Sequence, residues 1–362
     1  MTRSIDARVA DVRRLLSAAE AVHRERARLV PAIAEASGLS REGVELGFES
    51  LEREATDEAL RALVAAAGDA PHVHVILSAN VFVAPLRALA IARAAAARVT
   101  VRPSARDPVL THALVAAAGD AAIRVFDERD VAAPGAIASG EVHVYGRDET
   151  IAEVRARTSD RPGVIVRGHG AGLGLAVVTR SSEIHEVAGK IARDVVAFDQ
   201  RGCLSPRLVV VEGDAARGRS FARALHEALT AWGERVPRGA ALQGERAEAT
   251  RWRSAVTFAG DVFAGADHAV AFAPAVAAWW PAPAGRHVQV VAHSDLEGLA
   301  APLGPIAPFV VAVGTDDPAR VCAALPPGLA GVRTMPLGRM QQPPLDGPVD
   351  RRRDMSTRAR LR

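Results

Sequence analysis

The chain has 362 residues, of which 49% are hydrophobic, and it carries a formal net charge of +3 at neutral pH. Its length accommodates two domains with cores of their own, and no apolar run is long enough to span a bilayer. The two cysteines, Cys203 and Cys322, exclude a disulfide framework and a cysteine-based zinc site. Because the N terminus runs into a charged helical pattern instead of an apolar signal core, we expect a soluble protein of the reducing cytoplasm.

The first part of the chain, residues 1–68, is predicted to be helical. Hydrophobic residues recur there at helical spacing, at Val9, Val12, Leu15, Leu16 and Ala19. Thr56, followed by two acidic residues, has the composition of a capped helix start. We expect that helix to end near Gly68.

Strands alternate with helical segments over residues 69–175. Strands are predicted at residues 73–77, 99–101, 123–126, 142–145 and 164–166. This alternation predicts a doubly wound parallel sheet that is covered on both faces and binds ligands at the carboxyl ends of its strands. Asn80, Arg102 and Gly146 each follow a predicted strand, and a helix start after Gly146 suits an anionic group.

The glycine-rich residues 168–174 (GHGAGLG) have a glycine at every second position, which does not satisfy the G-x-G-x-x-G pattern of a dinucleotide loop. We interpret them as a flexible crossover between two domains. A second alternating region follows, with strands predicted at residues 176–178, 208–211, 269–272, 288–291 and 309–313. The chain ends in a Pro- and Arg-rich tail whose arginines have no aromatic residues between them for base stacking, so we expect no nucleic-acid partner.

Cys203 carries the most functional information in the sequence. It lies between a glycine and a leucine in residues 199–206 (DQRGCLSP), ahead of a predicted strand. A cysteine taken alone is more often a buried core thiol, so the thiol by itself does not define a site. The second cysteine, Cys322, lies in residues 319–324 (ARVCAA), and we expect it to be the core thiol of a helix.

Four segments resemble, in their order along the chain, the aldehyde dehydrogenase superfamily, and within it the LuxC-like acyl-CoA reductases, named for the reductase subunit of bacterial luminescence systems. They are residues 76–80 (ILSAN), 102–108 (RPSARDP), 199–206 (DQRGCLSP) and 337–341 (LGRMQ). The resemblance extends from about His72 to Asp350. Two departures are the short chain and residues 346–350 (DGPVD), which lack the Trp and His of the family's C-terminal motif.

The resemblance implies an α/β, aldehyde dehydrogenase-like fold with two doubly wound parallel-sheet domains and an active-site cleft between them. The implied organisation is an N-terminal helical segment, a nucleotide-binding domain, a catalytic domain that carries Cys203, and a tail, at residues 1–68, 69–175, 176–340 and 341–362.

The resemblance also assigns roles to single residues. Cys203 would attack a thioester to form a covalent acyl-enzyme, and the amide of Asn80 with the backbone N–H of the nucleophile would stabilise the oxyanion. Asn80 also fits an ordinary turn after a strand. The cofactor would be bound through Arg102, which stands in place of a lysine at the adenosine ribose, and through the loops that contain Ser104, Arg106, Gly146 and Arg147.

The nicotinamide cofactor is expected to be NADPH, with NADH as the alternative. NAD-preferring relatives have an acidic side chain three residues past the ribose-binding cation, where this chain has Ala105. Arg106 is next to it as a partner for a 2′-phosphate.

The chain also differs from hydrolytic aldehyde dehydrogenases at the general base. Residues 166–170 (VRGHG) lack the Glu with which those enzymes activate water. His169 is a candidate to replace that base or to protonate an intermediate, or it only hydrogen-bonds a loop.

These features predict an NADPH-dependent reduction of a long-chain acyl thioester, from acyl-CoA or an acylated protein, to the aldehyde through Cys203. The alternatives are a cysteine-dependent acyltransferase or thioesterase without hydride transfer, and a scaffold without activity. Relatives imply a homo-oligomer. We expect no metal site, because His72 and His74 face the same side of one strand without a third ligand nearby in the sequence.

Overall fold

A computed structural model describes residues 3–51, 55–127, 139–274 and 280–347 of the chain. The chain divides into two compact units. The first unit comprises Met1–Ala171 together with Pro344–Pro348, and the second unit contains Gly172–Pro343.

The first unit begins with helices and continues as alternating strands and helices. The helices that precede the first strand are α1 (Ile5–Arg24), α2 (Arg26–Ser37), α3 (Arg41–Phe48) and α4 (Asp57–Ala67). The alternating part consists of β1 (Ala70–Ile76), α5 (Ala84–Ala95), β2 (Ala96–Arg102), α6 (Val109–Ala118), β3 (Ile123–Val125), β4 (Gly140–Tyr145), α7 (Asp148–Thr158) and β5 (Val164–His169).

The strands of the first unit form a five-stranded parallel sheet in the order β3-β2-β1-β4-β5. Every residue of α5 from Pro85 to Ala95 is buried, Arg87 and Arg93 included, so this Ala-rich helix has no solvent-exposed polar face. A cluster that includes Ile76, Val142 and Val154 packs α7 on the sheet. The predicted parallel α/β sheet is therefore confirmed, and β1, β2 and β4 are neighbours at its centre.

The helix that leads into the first sheet begins as the sequence predicts. The hydroxyl of Thr56 accepts a hydrogen bond from the backbone N–H of Ala59 at 3.2 Å, and Gly68 follows the last helical residue of α4. The apolar face of this helix is buried through Leu60 and Leu63.

The second unit also alternates strands with helices. Its elements are β6 (Leu173–Val178), α8 (Ile184–Val196), β7 (Pro206–Glu212), α9 (Ala215–Arg235), α10 (Glu245–Val256), β8 (Asp261–Ala264), β9 (Ala269–Ala273), β10 (His287–His293), α11 (Ala300–Leu303), β11 (Val310–Thr315), α12 (Pro318–Ala324) and β12 (Arg333–Pro336).

These strands form a seven-stranded sheet in the order β12-β11-β6-β7-β10-β9-β8, in which only β8 is antiparallel to its neighbour among the described pairs. The central strands β6, β7 and β10 are rich in aliphatic residues and buried along nearly their whole length, as a parallel sheet covered by helices requires. One core cluster joins Leu175 and Val210 of the sheet to Leu303.

The Pro-rich segment after residue 341 is attached to the folded chain as far as the structure describes it. The guanidinium of Arg87 on α5 donates hydrogen bonds to the backbone carbonyls of Pro344 and Gly347. The basic residues 351–362 lie outside the described residues. No helix in the described part of the chain combines the length and apolar character that crossing a membrane requires.

Candidate active site

The turn before β7 has an unusual backbone. Phe198, Asp199 and Gln200 are consecutive non-glycine residues with φ angles of 57°, 50° and 62°. The left-handed region is unfavourable for residues with a β-carbon, and most of all for a bulky one such as Phe198. Such conformations persist only where the surroundings impose them, and they cluster at functional sites.

Buried hydrogen bonds impose this conformation. One carboxylate oxygen of Asp199 accepts from Nε of Arg286 at 3.0 Å, and the other accepts from the backbone N–H of Gly239 at 3.0 Å. The amide of Gln200 donates to the carbonyls of Pro206 and His287, at 2.8 and 2.6 Å, and its oxygen accepts from the N–H of His287 at 2.8 Å. The turn is thereby attached to the first residues of β7 and β10.

Cys203 follows this turn, and its side chain is exposed. The N–H of Ser205 donates to the carbonyl of Gly202 at 3.2 Å, which closes a tight turn around the thiol. Gly174 of β6 packs against the same turn so closely that an added β-carbon would lie 2.3 Å from the carbonyl oxygen of Leu204. The alternative of a buried core thiol is therefore wrong for Cys203.

The LGRMQ segment, residues 337–341, supports the same turn from another side. The carboxylate of Asp194 on α8 accepts from the N–H groups of Gly338 and Met340, at 2.6 and 3.0 Å. The amide of Gln341 donates to the hydroxyl of Ser205 at 3.1 Å, and both side chains are buried. Burial raises the pKa of Asp194 to about 7, against the effect of the two N–H donors. Two segments that carry the resemblance are thus hydrogen-bonded to each other within the second unit.

Asn80, Arg102 and Gly146 lie at the carboxyl edge of the five-stranded sheet, where the sequence predicts them. They follow or end β1, β2 and β4, which are adjacent in the sheet. Asn80 is exposed and Arg102 is half-buried. Arg106 donates to the carbonyl of Ala79 at 3.5 Å, so the loop after β2 contacts the loop that contains Asn80.

Ser104 shapes the loop after β2. Its hydroxyl accepts a hydrogen bond from the N–H of Arg106 at 3.3 Å. Asp107 in the same loop is buried, and neither of its carboxylate oxygens has a hydrogen-bond partner among the described residues. Burial raises the pKa of Asp107 to about 6, against the effect of Arg106.

The start of α7 has features that suit a phosphate group and one that opposes it. No side chain caps the N terminus of α7, and Arg147 at the cap position is exposed. Asp148 and Glu149 occupy the first turn, where their charges compete with an anion. Arg102, Arg106 and Arg147 add guanidinium groups at the same edge of the sheet, and such groups suit an anionic ligand.

His169 ends β5 and stacks on Tyr145, with ring centroids 4.3 Å apart and planes 7° from parallel. Next to this pair, Glu141 accepts hydrogen bonds from Nε and Nη2 of Arg167 at 2.7 and 2.6 Å, and His143 lies 2.8 Å away. Burial raises the pKa of Glu141, but these partners outweigh it and hold that pKa at about 2. The carboxylate of Glu141 is thus neutralised by Arg167, and it is not a water-activating base. A second carboxylate, that of Asp148, lies against Gly170 and accepts a hydrogen bond from the N–H of Ala171 at 3.3 Å.

The remaining candidates from the sequence have structural roles or are placed differently. His72 and His74 both hydrogen-bond the hydroxyl of Thr100, at 3.0 and 2.7 Å, and the described residues contain no cluster of metal ligands. Cys322 is exposed and not a core thiol, because α12 is short and buries only Val321.

The structure brings Asn80, Arg102, Ser104, Arg106, Gly146, Arg147 and His169 together in the first unit, and Cys203 belongs to the second unit. Sequence reasoning missed the side chains that hold the Cys203 turn, Asp194 and Arg286. Asp194 lies in a predicted helix and Arg286 lies just before a predicted strand. Both are charged residues at buried positions, which is a signal for a structural or functional partner.

Comparisons with solved structures identify the fold. The chain is similar to a NAD-dependent benzaldehyde dehydrogenase from Corynebacterium glutamicum, with a TM-score of 0.63 and 16% identity over 88% of this chain and 79% of that one. It is also similar to the aldehyde dehydrogenase KauB from Pseudomonas aeruginosa, with a TM-score of 0.66 and 13% identity over 88% and 74% of the two chains. Aldehyde Dehydrogenase C from Pseudomonas syringae, in a complex with NAD+ and octanal, is similar with a TM-score of 0.64 and 13% identity over 89% of this chain and 76% of that one. No curated protein matches the chain significantly.

The fold and the family together define an oxidoreductase that acts on aldehyde or acyl groups, built on the aldehyde dehydrogenase fold. The model of the acyl-CoA reductase (LuxC) family matches residues 65–344, and the chain belongs to that family. The resemblance found in the sequence is therefore confirmed.

Proposed function

We propose that this protein reduces a long-chain acyl thioester to the aldehyde, with NADPH as the hydride donor and Cys203 as the nucleophile. The observation that carries the proposal is an exposed thiol on a turn that buried hydrogen bonds hold in a left-handed conformation. A fixed nucleophile loses little orientational freedom when it attacks, which is where much of the advantage of a covalent mechanism arises.

The chain's own groups account for the bond changes. The sulfur of Cys203 forms a bond to the acyl carbon, and the thiolate of the donor leaves and takes a proton from solvent. The side-chain amide of Asn80 donates a hydrogen bond to the oxyanion that develops on the former carbonyl oxygen. The nicotinamide, when bound, supplies a hydride. The Cys203 thiolate then leaves as the carbonyl forms again, and the aldehyde is released.

We propose reduction in preference to hydrolysis because this chain lacks the Glu that serves as the water-activating base in hydrolytic relatives. Residues 166–170 contain no carboxylate, and the nearby Glu141 is paired with Arg167. Asp148, which lies against Gly170, accepts a hydrogen bond from the N–H of Ala171 at 3.3 Å. Without the Glu that activates water in hydrolytic relatives, an acyl-enzyme would persist until the hydride arrives. We assign to His169 the role of proton donor or acceptor at this edge, held in place by its stacking on Tyr145.

NADPH would be held by Arg102, Ser104, Arg106, Gly146 and Arg147 at the carboxyl edge of the five-stranded sheet. The preference for NADPH over NADH is supported by the exposed guanidinium of Arg106 and by Ala105, which leaves no carboxylate at the position where one would repel a 2′-phosphate.

The setting of the reaction is part of the proposal. The acyl donor is acyl-CoA or an acylated protein, and the protein acts as a homo-oligomer in the cytoplasm. The two free cysteines support a reducing compartment.

The test is an assay of NADPH oxidation with a long-chain acyl-CoA, in which aldehyde is measured at the same time. Equal amounts of NADPH consumed and aldehyde formed, lost in Cys203→Ser and kept in Cys322→Ser, are the expected result. Release of CoA without NADPH consumption would instead identify an acyltransferase or thioesterase. Neither product at any chain length would identify an inactive scaffold.

A further inference from the structure

The loop that follows β12, residues 337–341, is held in place by α8 and by the core of the second unit. The carboxylate of Asp194 accepts hydrogen bonds from the N–H groups of Gly338 and Met340, at 2.6 and 3.0 Å. The side chain of Met340 is fully buried in a cluster that also contains Leu204, the residue after the nucleophile. The loop lies outside the helices and strands, so its shape depends on these contacts.

Gln341, at the end of this loop, contacts the turn that carries Cys203. The N–H of Ser205 donates to the carbonyl of Gly202 at 3.2 Å, so Cys203 occupies the first of the two central positions of a β-turn. The carbonyl of Ser205 accepts from the N–H of Gly174 at 3.0 Å, and its hydroxyl accepts from the amide of Gln341 at 3.1 Å. The turn is thereby held from its buried side, and the thiol faces outward.

The contacts of Asp194 and Gln341 close the segment that carries the nucleophile into a ring. Asp194 precedes this segment and Ser205 ends it, and residues 338–341 join the two. Within the ring, residues 198–200 have left-handed φ angles, which persist only where the surroundings impose them. Closing a flexible segment at both ends removes conformations that would let such a turn relax.

We infer that Gln341 is a positioning residue that aligns Cys203 for attack on the acyl carbon, acting through Ser205. This inference rests on the proposed role of Cys203 as the nucleophile. Attack requires the sulfur to approach a bound acyl carbon from a fixed direction, and a displacement of about 1 Å can slow such a reaction by about 100-fold. Alkylation by a small reagent from solvent requires no such alignment.

The test compares two reactions of Cys203 in a Cys322→Ser background, namely single-turnover acylation by a long-chain acyl-CoA and alkylation by iodoacetamide. Gln341→Leu replaces the amide with an apolar group. We expect the acylation rate at saturating acyl-CoA to fall about 10- to 100-fold, while the half-saturating concentration and the alkylation rate stay within about twofold of the parent values. Gln243→Leu, the same change at an exposed position of the second unit, is the matched control and should leave both rates unchanged.

Ser205→Ala removes the other partner of the hydrogen bond and should reproduce the effect of Gln341→Leu. Because the two side chains act through one bond, the double variant should acylate no more slowly than the slower single variant. A double variant in which the two losses multiply would contradict the inference.

Acylation at the parent rate in a folded Gln341→Leu variant would overturn the inference, and so would acylation and alkylation that fall by the same factor. If that variant does not fold, Ser205→Ala decides by the same two criteria. A parent protein that forms no acyl-enzyme would refute the proposed function and this inference with it. An acyl-enzyme that forms in the parent and is not reduced would refute the reductase alone and leave the role of Gln341 intact.

Discussion

Asp199 and Arg286 form a buried ion pair, with Nη2 of Arg286 2.8 Å from Oδ1 of Asp199. The two side chains are 3% and 2% exposed, so the pair has little contact with water. Through it, the left-handed turn before Cys203 is connected to Arg286, which directly precedes β10 and lies 87 residues away in sequence. The position of the thiol therefore depends on a contact that no local sequence pattern encodes.

Removing the charge of Asp199 should destabilise the second unit strongly. Asp199→Asn leaves Arg286 buried without its partner, and the loss of one member of a buried pair costs about 3–5 kcal/mol. Asparagine tolerates a positive φ, so the substitution reports on the charge and not on the backbone. The measurement is the free energy of unfolding in urea.

The matched control for this substitution is Glu186→Gln on α8. Glu186 forms an exposed pair with Lys190 at 2.6 Å, and its removal should leave the free energy of unfolding unchanged. Equal effects of the two substitutions would show that the Asp199–Arg286 pair does not hold the turn.

Two glycines of the second unit should respond to alanine with opposite signs. At Gly174, a β-carbon would lie 2.3 Å from the carbonyl oxygen of Leu204, and we expect Gly174→Ala to cost about 1–3 kcal/mol and to impair the Cys203 reaction. At Gly189 in α8, nothing lies within 4 Å of an added β-carbon, and alanine should stabilise the helix by about 0.5–1 kcal/mol. Thermal unfolding of both variants measures the two stability changes. A Gly174→Ala variant as stable as the parent protein would refute the close packing of β6 on the turn.

Asp107 should make stability depend on pH. Its pKa is about 6 in the folded protein, above the ordinary pKa of an aspartate, so the folded state binds the proton more tightly than the unfolded chain. The stability that Asp107 contributes is therefore fully present below about pH 4, is lost as the pH rises towards 6, and stays lost above it. At pH 8, the free energy of unfolding of Asp107→Asn should be roughly 1–3 kcal/mol higher than that of the parent protein.

Urea unfolding of the parent and Asp107→Asn at several pH values between 4 and 8 provides this measurement. The difference between the two proteins should shrink as the pH falls from 6 to 4. A difference that is constant with pH, or that grows towards pH 4, would show that the Asp107 carboxyl is not held in its uncharged form.

Most of the fold could be predicted from the sequence because the central strands are short segments rich in β-branched and aliphatic residues between helical segments. Edge elements were harder. The strand β12 (Arg333–Pro336) and the antiparallel β8 (Asp261–Ala264) are four residues each and half-exposed, so they lack the buried run that identifies a parallel strand. The helix α10 is rich in charged residues and buries few side chains, which weakens its periodic signal.

The candidate site was predictable where residues follow strands and unpredictable where they are held by distant partners. Asn80, Arg102 and Gly146 were placed by the rule that ligands of parallel sheets bind at the carboxyl ends of strands. Asp194 and Arg286 were not found, because the importance of Asp194 depends on its contact with residues 338–340 and that of Arg286 on its contact with Asp199. Cys322 was misjudged because an apolar stretch of sequence does not reveal which face of a short helix is covered.

The central claim is that Cys203 carries the acyl group which the hydride then reduces. The most direct measurement is intact-protein and peptide mass spectrometry after mixing the protein with a long-chain acyl-CoA, first without NADPH and then with it. We predict an added mass of one acyl group on the peptide that contains Cys203, discharged when NADPH is added, with one aldehyde released for each NADPH oxidised. An adduct on Cys203 that NADPH does not discharge, or acyl transfer to another residue, would contradict the account.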